Sequence, residues 1–104
     1  MKKNYELAYL ISSQNPEEIA QKISQEINDF IEKEQGIITE SQLPQKINLA
    51  YQIEKQSFAW FQLTYFSLDS SRLKSLEKRL KEEKEILRFL VLVKRPLSDR
   101  KSVV

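Results

Sequence analysis

Ile47-Asn48-Leu49-Ala50-Tyr51-Gln52-Ile53, then, after a four-residue interval, Phe58-Ala59-Trp60-Phe61-Gln62-Leu63-Thr64-Tyr65-Phe66: the fold turns on this stretch. In its first half Ile47, Leu49, Tyr51 and Ile53 alternate with Asn48, Ala50 and Gln52, the period of a strand. The second half is dense in aromatic side chains and is the richest strand signal in the chain. The interval Glu54 to Ser57 predicts a hairpin between them.

Upstream, Ile37, Ile38 and Thr39 begin the first hairpin strand early. Leu43-Pro44 interrupts it, since proline cannot donate to a ladder, and a bulge or edge irregularity is expected there. Before it comes a helix. Asn15 reads as the N-cap, Pro16 as the first helical residue, and Glu17 and Glu18 complement the dipole. Ile19, Ile23, Ile27, Phe30 and Ile31 form one apolar stripe, and Gly36 falls where a left-handed C-terminal residue is wanted. Tyr5 to Ile11 is almost continuously apolar, which suits a central strand covered on both faces. Downstream, Asp69 or Ser70 caps a second helix to about Lys84, with Leu73, Leu76 and Leu80 facing inward. Phe89 to Val93 supplies a last strand. The order β-α-β-β-α-β gives an α+β, ferredoxin-like fold: a four-stranded antiparallel sheet with two helices on one face. Residues 1–95 make that domain, and 96–104, which lack a pattern, read as a flexible C-terminal tail.

Composition narrows the function. Of 104 residues 40% are hydrophobic and 31% charged, the balance of one globular domain. Met1-Lys2-Lys3 leads into Asn4 and Glu6 and not into a long apolar run, so neither a secretory signal nor a membrane segment is expected. The chain has no cysteine and no histidine. That removes thiolate nucleophiles, the usual zinc ligands and the commonest general base. Gly36 is the only glycine, so no glycine-rich loop can cradle a phosphate. Acid pairs such as Glu17-Glu18 and Glu82-Glu83 fall on exposed helical positions. No catalytic residue, metal site, cofactor or small-molecule substrate is expected, and the chain reads as a binding protein, not an enzyme.

The net charge is only +2. Acidic residues concentrate between Pro16 and Gln35, whereas Lys2 and Lys3 at one terminus and Lys94, Arg95, Arg100 and Lys101 at the other are basic. Basic ends suit contact with a polyanion, although solvated termini look the same in sequence. Alternation also divides the sheet. With Leu7, Tyr9 and Ile11 against the helices, Ala8 and Leu10 face out. With Phe61, Leu63 and Tyr65 inward, Phe58, Trp60, Gln62, Thr64 and Phe66 face out. With Phe89, Val91 and Val93 inward, Leu90 and Leu92 face out. Either phase leaves large apolar groups on the open face, which predicts a protein or RNA partner there unless Leu97, Val103 and Val104 of the tail fold back over it.

Gln56-Ser57-Phe58-Ala59-Trp60 keeps the aromatic-Ala-aromatic core of an RNA-recognition motif but lacks its basic residue and glycine. A single-stranded RNA binder that stacks bases on Trp60 is therefore one rival reading, and a ferredoxin-like ligand sensor is another.

Lys46-Ile47-Asn48-Leu49-Ala50-Tyr51-Gln52-Ile53-Glu54-Lys55 resembles the basic-Leu-Ala-Tyr-Pro-Ile-x-Lys signature of the bacterial small-subunit ribosomal protein S-six family. Tyr5-Glu6-Leu7 is similar to that family's opening strand. Gly36 follows the first helix, Ala59-Trp60-Phe61 stands where the family has a small residue and then aromatics, and Ile86-Leu87-Arg88-Phe89-Leu90-Val91 is similar to its last strand. The resemblance spans residue 3 to about 95. It departs where the family's Trp-Gly is replaced around Leu43-Pro44-Gln45, where Ile47 or Asn48 stands at the second basic position, and where Gln52 replaces the signature proline. The first two changes fall beside the expected phosphate contacts, and the third alters the local turn.

The resemblance implies a structural constituent of the small ribosomal subunit, in the cytoplasm, acting in translation. It implies a heterodimer with ribosomal protein S-eighteen and binding to the central domain of small-subunit rRNA. By motif position Lys46, Lys55 and Arg88 are expected to contact RNA, with Lys2, Lys3, Lys94 and Arg95 in support from charge and strand-end location. Leu10, Trp60, Leu90 and Leu92, as outward sheet positions, are the expected partner contacts. Tyr51 reads as a core residue.

Overall fold

The computed structural model describes residues 2–94. Its order is β1 (Lys2–Ser12), α1 (Glu17–Lys33), β2 (Ile37–Ser41), β3 (Gln45–Ile53), β4 (Gln56–Asp69), α2 (Leu73–Glu82, entered through a 3-10 turn, Ser70–Arg72) and β5 (Ile86–Val93). The α+β ferredoxin-like fold is present, with a sheet of five strands instead of four. What reads as one interrupted strand is two. The chain leaves the ladder at Gln42, whose N–H still reaches the Leu63 carbonyl, and rejoins after Pro44. β2 and β3 thus lie one after the other along the same edge of the long strand β4. β1 is central, antiparallel to β4 and β5.

Direct cross-strand partners share a face. Tyr5 stands opposite Phe66, Leu7 opposite Thr64, Tyr9 opposite Gln62 and Ile11 opposite Trp60. With Ala20, Ile23, Ile27 and Ile31 of α1 and Leu76 and Leu80 of α2, the buried members of this set form the core. The phase expected for β4 is therefore reversed: Trp60, Gln62, Thr64 and Phe66 point to the helices, and Phe61, Leu63 and Tyr65 to the open face. The Gln62 amide N–H groups and the Thr64 hydroxyl find partners inside, while Gln62 Oε1 is buried without one. Gln62 Nε2 donates to Thr64 Oγ1 (3.1 Å) and Ser41 Oγ (3.1 Å), and Asn28 Nδ2 of α1 donates to the same Ser41 hydroxyl (3.0 Å).

The ends of α1 also differ from expectation. Pro16 is the N-cap, its carbonyl accepting from Ile19 and Ala20, while Asn15 uses its amide to bind Ser12 and Glu85. Ile19 lies outside the buried stripe, which runs through Ala20 instead. At the C-terminus Gly36 N–H donates to the Ile31 carbonyl and Gln35 N–H to Glu32, the paired bonds of a Schellman motif. The left-handed residue is Gln35 (φ 70°), not Gly36. Residue 36 is glycine for lack of space: a Cβ there would lie 2.7 Å from Ile31 Cγ2 and 3.0 Å from the Ser67 carbonyl oxygen. Asp69 caps the 3-10 turn that leads into α2, accepting from Ser71 N–H (2.9 Å) and Oγ (2.7 Å), while the N-cap of α2 itself is Arg72, without a side-chain bond.

Candidate ribonucleoprotein interface

Both helices cover one face of the sheet, and the other is open. Reading across β2/β3, β4, β1 and β5, the open face is built from rows: Glu40, Tyr65, Glu6 and Leu92; then Leu63, Ala8 and Leu90; then Gln45, Phe61, Leu10 and Arg88. Its centre is hydrocarbon and aromatic, and Leu90 and Leu92 are 56% and 47% exposed. Leu10, Leu90 and Leu92 occupy the expected open positions. Trp60 does not. It packs against the core from the helix side, and its Nε1 donates to the Asn15 carbonyl (2.9 Å), so it cannot line the open face or serve there as a base-stacking platform.

The expected RNA contacts divide between two ends of the sheet. Lys2 and Lys3 begin β1 opposite Asp69 and Leu68, and the Lys94 N–H is bonded to the Asn4 carbonyl beside them. Lys94 Nζ sits over the Tyr65 ring, 4.0 Å from its centroid, which places this cation on the open face. Arg88, opposite Leu10, lies eight residues farther along β1, roughly 26 Å at ~3.3 Å per residue. Lys46 and Lys55 are at that far end as well. Arg95 and the tail 96–104 lie outside the described residues.

The far-end cations share an end of the molecule, not a single face. Arg88 projects with Leu10 from the open face, where its Nη1 donates to the Leu87 carbonyl (3.0 Å). Lys46 is paired with Trp60 and therefore projects from the helix side of the hairpin, its Nζ 4.4 Å from the Phe58 centroid. Lys55 is at the hairpin tip. All three are exposed, Lys46 and Lys55 at the β3 edge and Arg88 on the opposite edge strand, β5. Tyr51, expected in the core, is 79% exposed on the same hairpin.

The hairpin tip has unusual backbone. Glu54 and Lys55 form a two-residue turn in which both residues are left-handed (φ 49° and 67°). Such turns favour Asn-Gly, and a residue with a Cβ costs about 1–2 kcal/mol in that region. Behind the tip the β3–β4 ladder runs from Gln45 to Asn48 and resumes only at Ile53, opposite Gln56. Gln52, in place of the signature proline, lies in the unpaired interval. Sequence reasoning found Lys46 and Lys55 but missed this geometry, because neither Glu54 nor Lys55 is a residue that advertises positive φ.

Three titrating groups are displaced, and burial raises the first, the Tyr5 hydroxyl. Burial pushes the Tyr9 hydroxyl up to about 12, opposed in part by the Ser24 hydroxyl, yet no hydrogen bond of normal geometry reaches that buried oxygen. The Ser71 N–H and hydroxyl hold the Asp69 carboxyl well below the usual carboxylate range. Among the described residues no group of three or more metal-ligating side chains comes together, and no helix is long and apolar enough to cross a membrane.

The family model for ribosomal protein S6 matches residues 4–93. The small ribosomal subunit protein bS6 of Borrelia garinii subsp. bavariensis is 37% identical over 95 residues, covering 90% of this chain and 66% of the relative. The bS6 of Borrelia hermsii is 34% identical over 104 residues, covering 90% and 70%. The chain thus spans about two thirds of the length of these relatives. A crystal structure of 30S ribosomal protein S6 from Thermotoga maritima superposes with a TM-score of 0.88 at 23% identity, covering 99% of this chain and 97% of that one, and so shares the fold. With the family model matched across β1 to β5, this chain belongs to the ribosomal protein S6 family.

Proposed function

We propose that the chain is a structural constituent of the small ribosomal subunit, acting in the cytoplasm, that docks on the central domain of its rRNA as a heterodimer with ribosomal protein S-eighteen. The observation that carries this reading is the division of the open face: an apolar field of half-buried Leu10, Phe61 and Leu63 and exposed Leu90 and Leu92, with cations at its two ends. A packed protein surface suits the field, since burying it releases water. Phosphates suit the ends. Lys46, Lys55 and Arg88 form the primary RNA contacts. Lys2, Lys3 and Lys94 extend them at the opposite end, and Arg95, outside the described residues, joins them on charge alone. Base stacking is the weaker reading, because Trp60 is turned to the core and Lys94 already covers Tyr65.

The test is binding to a central-domain rRNA fragment, with and without ribosomal protein S-eighteen, across a salt series. Tight binding is expected only with the partner. Neutralising a phosphate-contacting cation, as in Lys55→Gln or Arg88→Gln, is expected to flatten the log–log salt slope by about 0.7–0.9 per cation removed. Binding indifferent to both partner and salt refutes the proposal.

A further inference from the structure

Gln56, the first residue of β4, ties the hairpin to the loop that follows β1. Its Oε1 accepts from the Ser13 N–H (2.7 Å), the Ser13 hydroxyl (2.9 Å) and the Ser12 hydroxyl (3.3 Å), residues more than 40 positions away in sequence. A backbone N–H can only donate, so the atom facing Ser13 is the carboxamide oxygen. The knot extends on both sides. Gln14 N–H donates to the Ser12 hydroxyl, and Ser12 N–H to the Glu85 carbonyl (2.7 Å). Asn15 Nδ2 donates to Glu85 Oε1 (2.6 Å), and Trp60 Nε1 to the Asn15 carbonyl. One loop therefore clasps β4, at Gln56 beside the turn and at Trp60, and the approach to β5, at Glu85.

On the facing strand the ladder gives the turn little support. The ladder is interrupted between Asn48 and Ile53, and the tip turns through two left-handed residues that are not glycine. Strained backbone of this kind persists only where the surroundings over-determine it. Gln56 directly follows the strained pair and is the point at which the rest of the molecule grips it.

We infer that Gln56 is a positioning residue: its carboxamide oxygen, fixed on Ser12 and Ser13, holds the Glu54–Lys55 turn and so aims the Lys55 ammonium group at an RNA phosphate. The inference rests on the proposed contact between Lys55 and RNA. A cation held in its bound orientation loses less freedom on docking than one on a loose tip, and the difference appears as affinity.

Gln56→Met keeps the length of the side chain and removes the acceptor. Two measurements on the full chain separate the possibilities. In the free protein, backbone 15N relaxation at Glu54 and Lys55 is expected to show a lower order parameter in Gln56→Met. An unchanged order parameter overturns the inference, whatever the RNA does. In complex with ribosomal protein S-eighteen, affinity for the central-domain rRNA fragment is measured for Gln56→Met, Lys55→Gln, Arg88→Gln and the pairs. Gln56→Met is expected to weaken binding about five- to tenfold, to shrink the further loss from Lys55→Gln, and to leave that from Arg88→Gln unchanged. Losses from Gln56→Met and Lys55→Gln that multiply independently also overturn it. If instead Lys55→Gln and Arg88→Gln bind like the parent while the order parameter falls, the RNA reading has failed and the clasp stands. Should Gln56→Met melt too early to use, Ser13→Ala, which removes one donor of the three, is expected to give the same pattern at smaller amplitude, and its absence refutes the inference equally.

Discussion

Alanine at position 36 is expected to destabilise the protein even though the glycine there needs no unusual backbone. An ideal Cβ on residue 36 lies 2.7 Å from Ile31 Cγ2, 2.9 Å from the Ile31 carbonyl oxygen and 3.0 Å from the Ser67 carbonyl oxygen. Ile31 is fully buried, and the two oxygens belong to the last turn of α1 and to β4. None is the free end of a flexible side chain. Relief requires the helix terminus to lift from the sheet, and overpacking of this sort costs about 1–3 kcal/mol. Against it, alanine restricts the unfolded chain and recovers about 0.4–1 kcal/mol. The balance for Gly36→Ala is a loss of about 1–2 kcal/mol, or a fall in Tm of roughly 5–10 °C for a domain of this size. Gln35→Gly is expected to act in the opposite sense. It relieves about 1–2 kcal/mol of left-handed strain at φ 70° and surrenders about 0.4–1 kcal/mol to the unfolded chain, a net gain of about 0.5–1 kcal/mol. Urea unfolding followed by Trp60 fluorescence and far-ultraviolet dichroism measures both. If Gly36→Ala is as stable as the parent, or Gln35→Gly is weaker, the left-handed position belongs to residue 36 and the packing argument is wrong.

The other expectations concern pH. Tyr9 is raised to about 12, above the ~10 of an exposed tyrosine, so above pH ~10 the folded chain retains a proton that the unfolded chain gives up. Its contribution is intact below that pH and is lost as pH rises toward 12. Tyr9→Phe should remove this part of the alkaline loss and, by deleting a buried hydroxyl without a partner, add about 0.5–1 kcal/mol at pH 7; an unchanged alkaline unfolding profile contradicts it. Asp69 is depressed, so its contribution is present above the ordinary aspartate value of ~3.9 and disappears as pH falls below it. Asp69→Asn should make the acid limb of the melting curve shallower, and an equally steep limb shows that the cap does not govern it.

Element types were legible because local signals agree with the fold. The α1 stripe, the aromatic run of β4 and the Asp69 cap each state their structure within a few residues. The phase of β4 was not legible, because bulky side chains occur on both of its faces. Only the β1 register, Tyr9 opposite Gln62 and Tyr5 opposite Phe66, decides between them, and a register is set by residues more than 50 positions apart. A polarity rule also points the wrong way. Gln62 and Thr64 look like surface residues until the Ser41 hydroxyl is seen to bond both the Gln62 amide and the Thr64 hydroxyl. For the same reason alternation misplaces Trp60, while the phase assigned to β1 and β5, strands apolar on both faces, does put Leu10, Leu90 and Leu92 on the open face. Pairing in the hairpin was readable, but its two left-handed tip residues were not, since glutamate and lysine carry no turn signal of their own.

The interface so arranged sets a condition on what can cover it. Glu6 stands in the row between Tyr65 and Leu92, half-buried at the Lys94 end of the apolar field, with no ion pair among the described residues. A protein that seals this face takes the Glu6 carboxylate out of water, and an ion buried without a partner costs several kcal/mol. Leucines alone on the opposing surface would therefore bind poorly. A surface with an arginine, a lysine or paired N–H groups opposite Glu6 recovers that cost and discriminates against apolar competitors, which leave the charge stranded. Phosphate cannot meet the condition, because it would bring like charge against Glu6. In the proposed assembly RNA contact is for that reason expected at the ends, at Lys2 and Lys3 on one side and at Lys46, Lys55 and Arg88 on the other, while Lys94, held over the Tyr65 ring, stands beside the carboxylate's own row. One acidic side chain then marks where the proposed protein-facing field gives way to the proposed RNA-facing end.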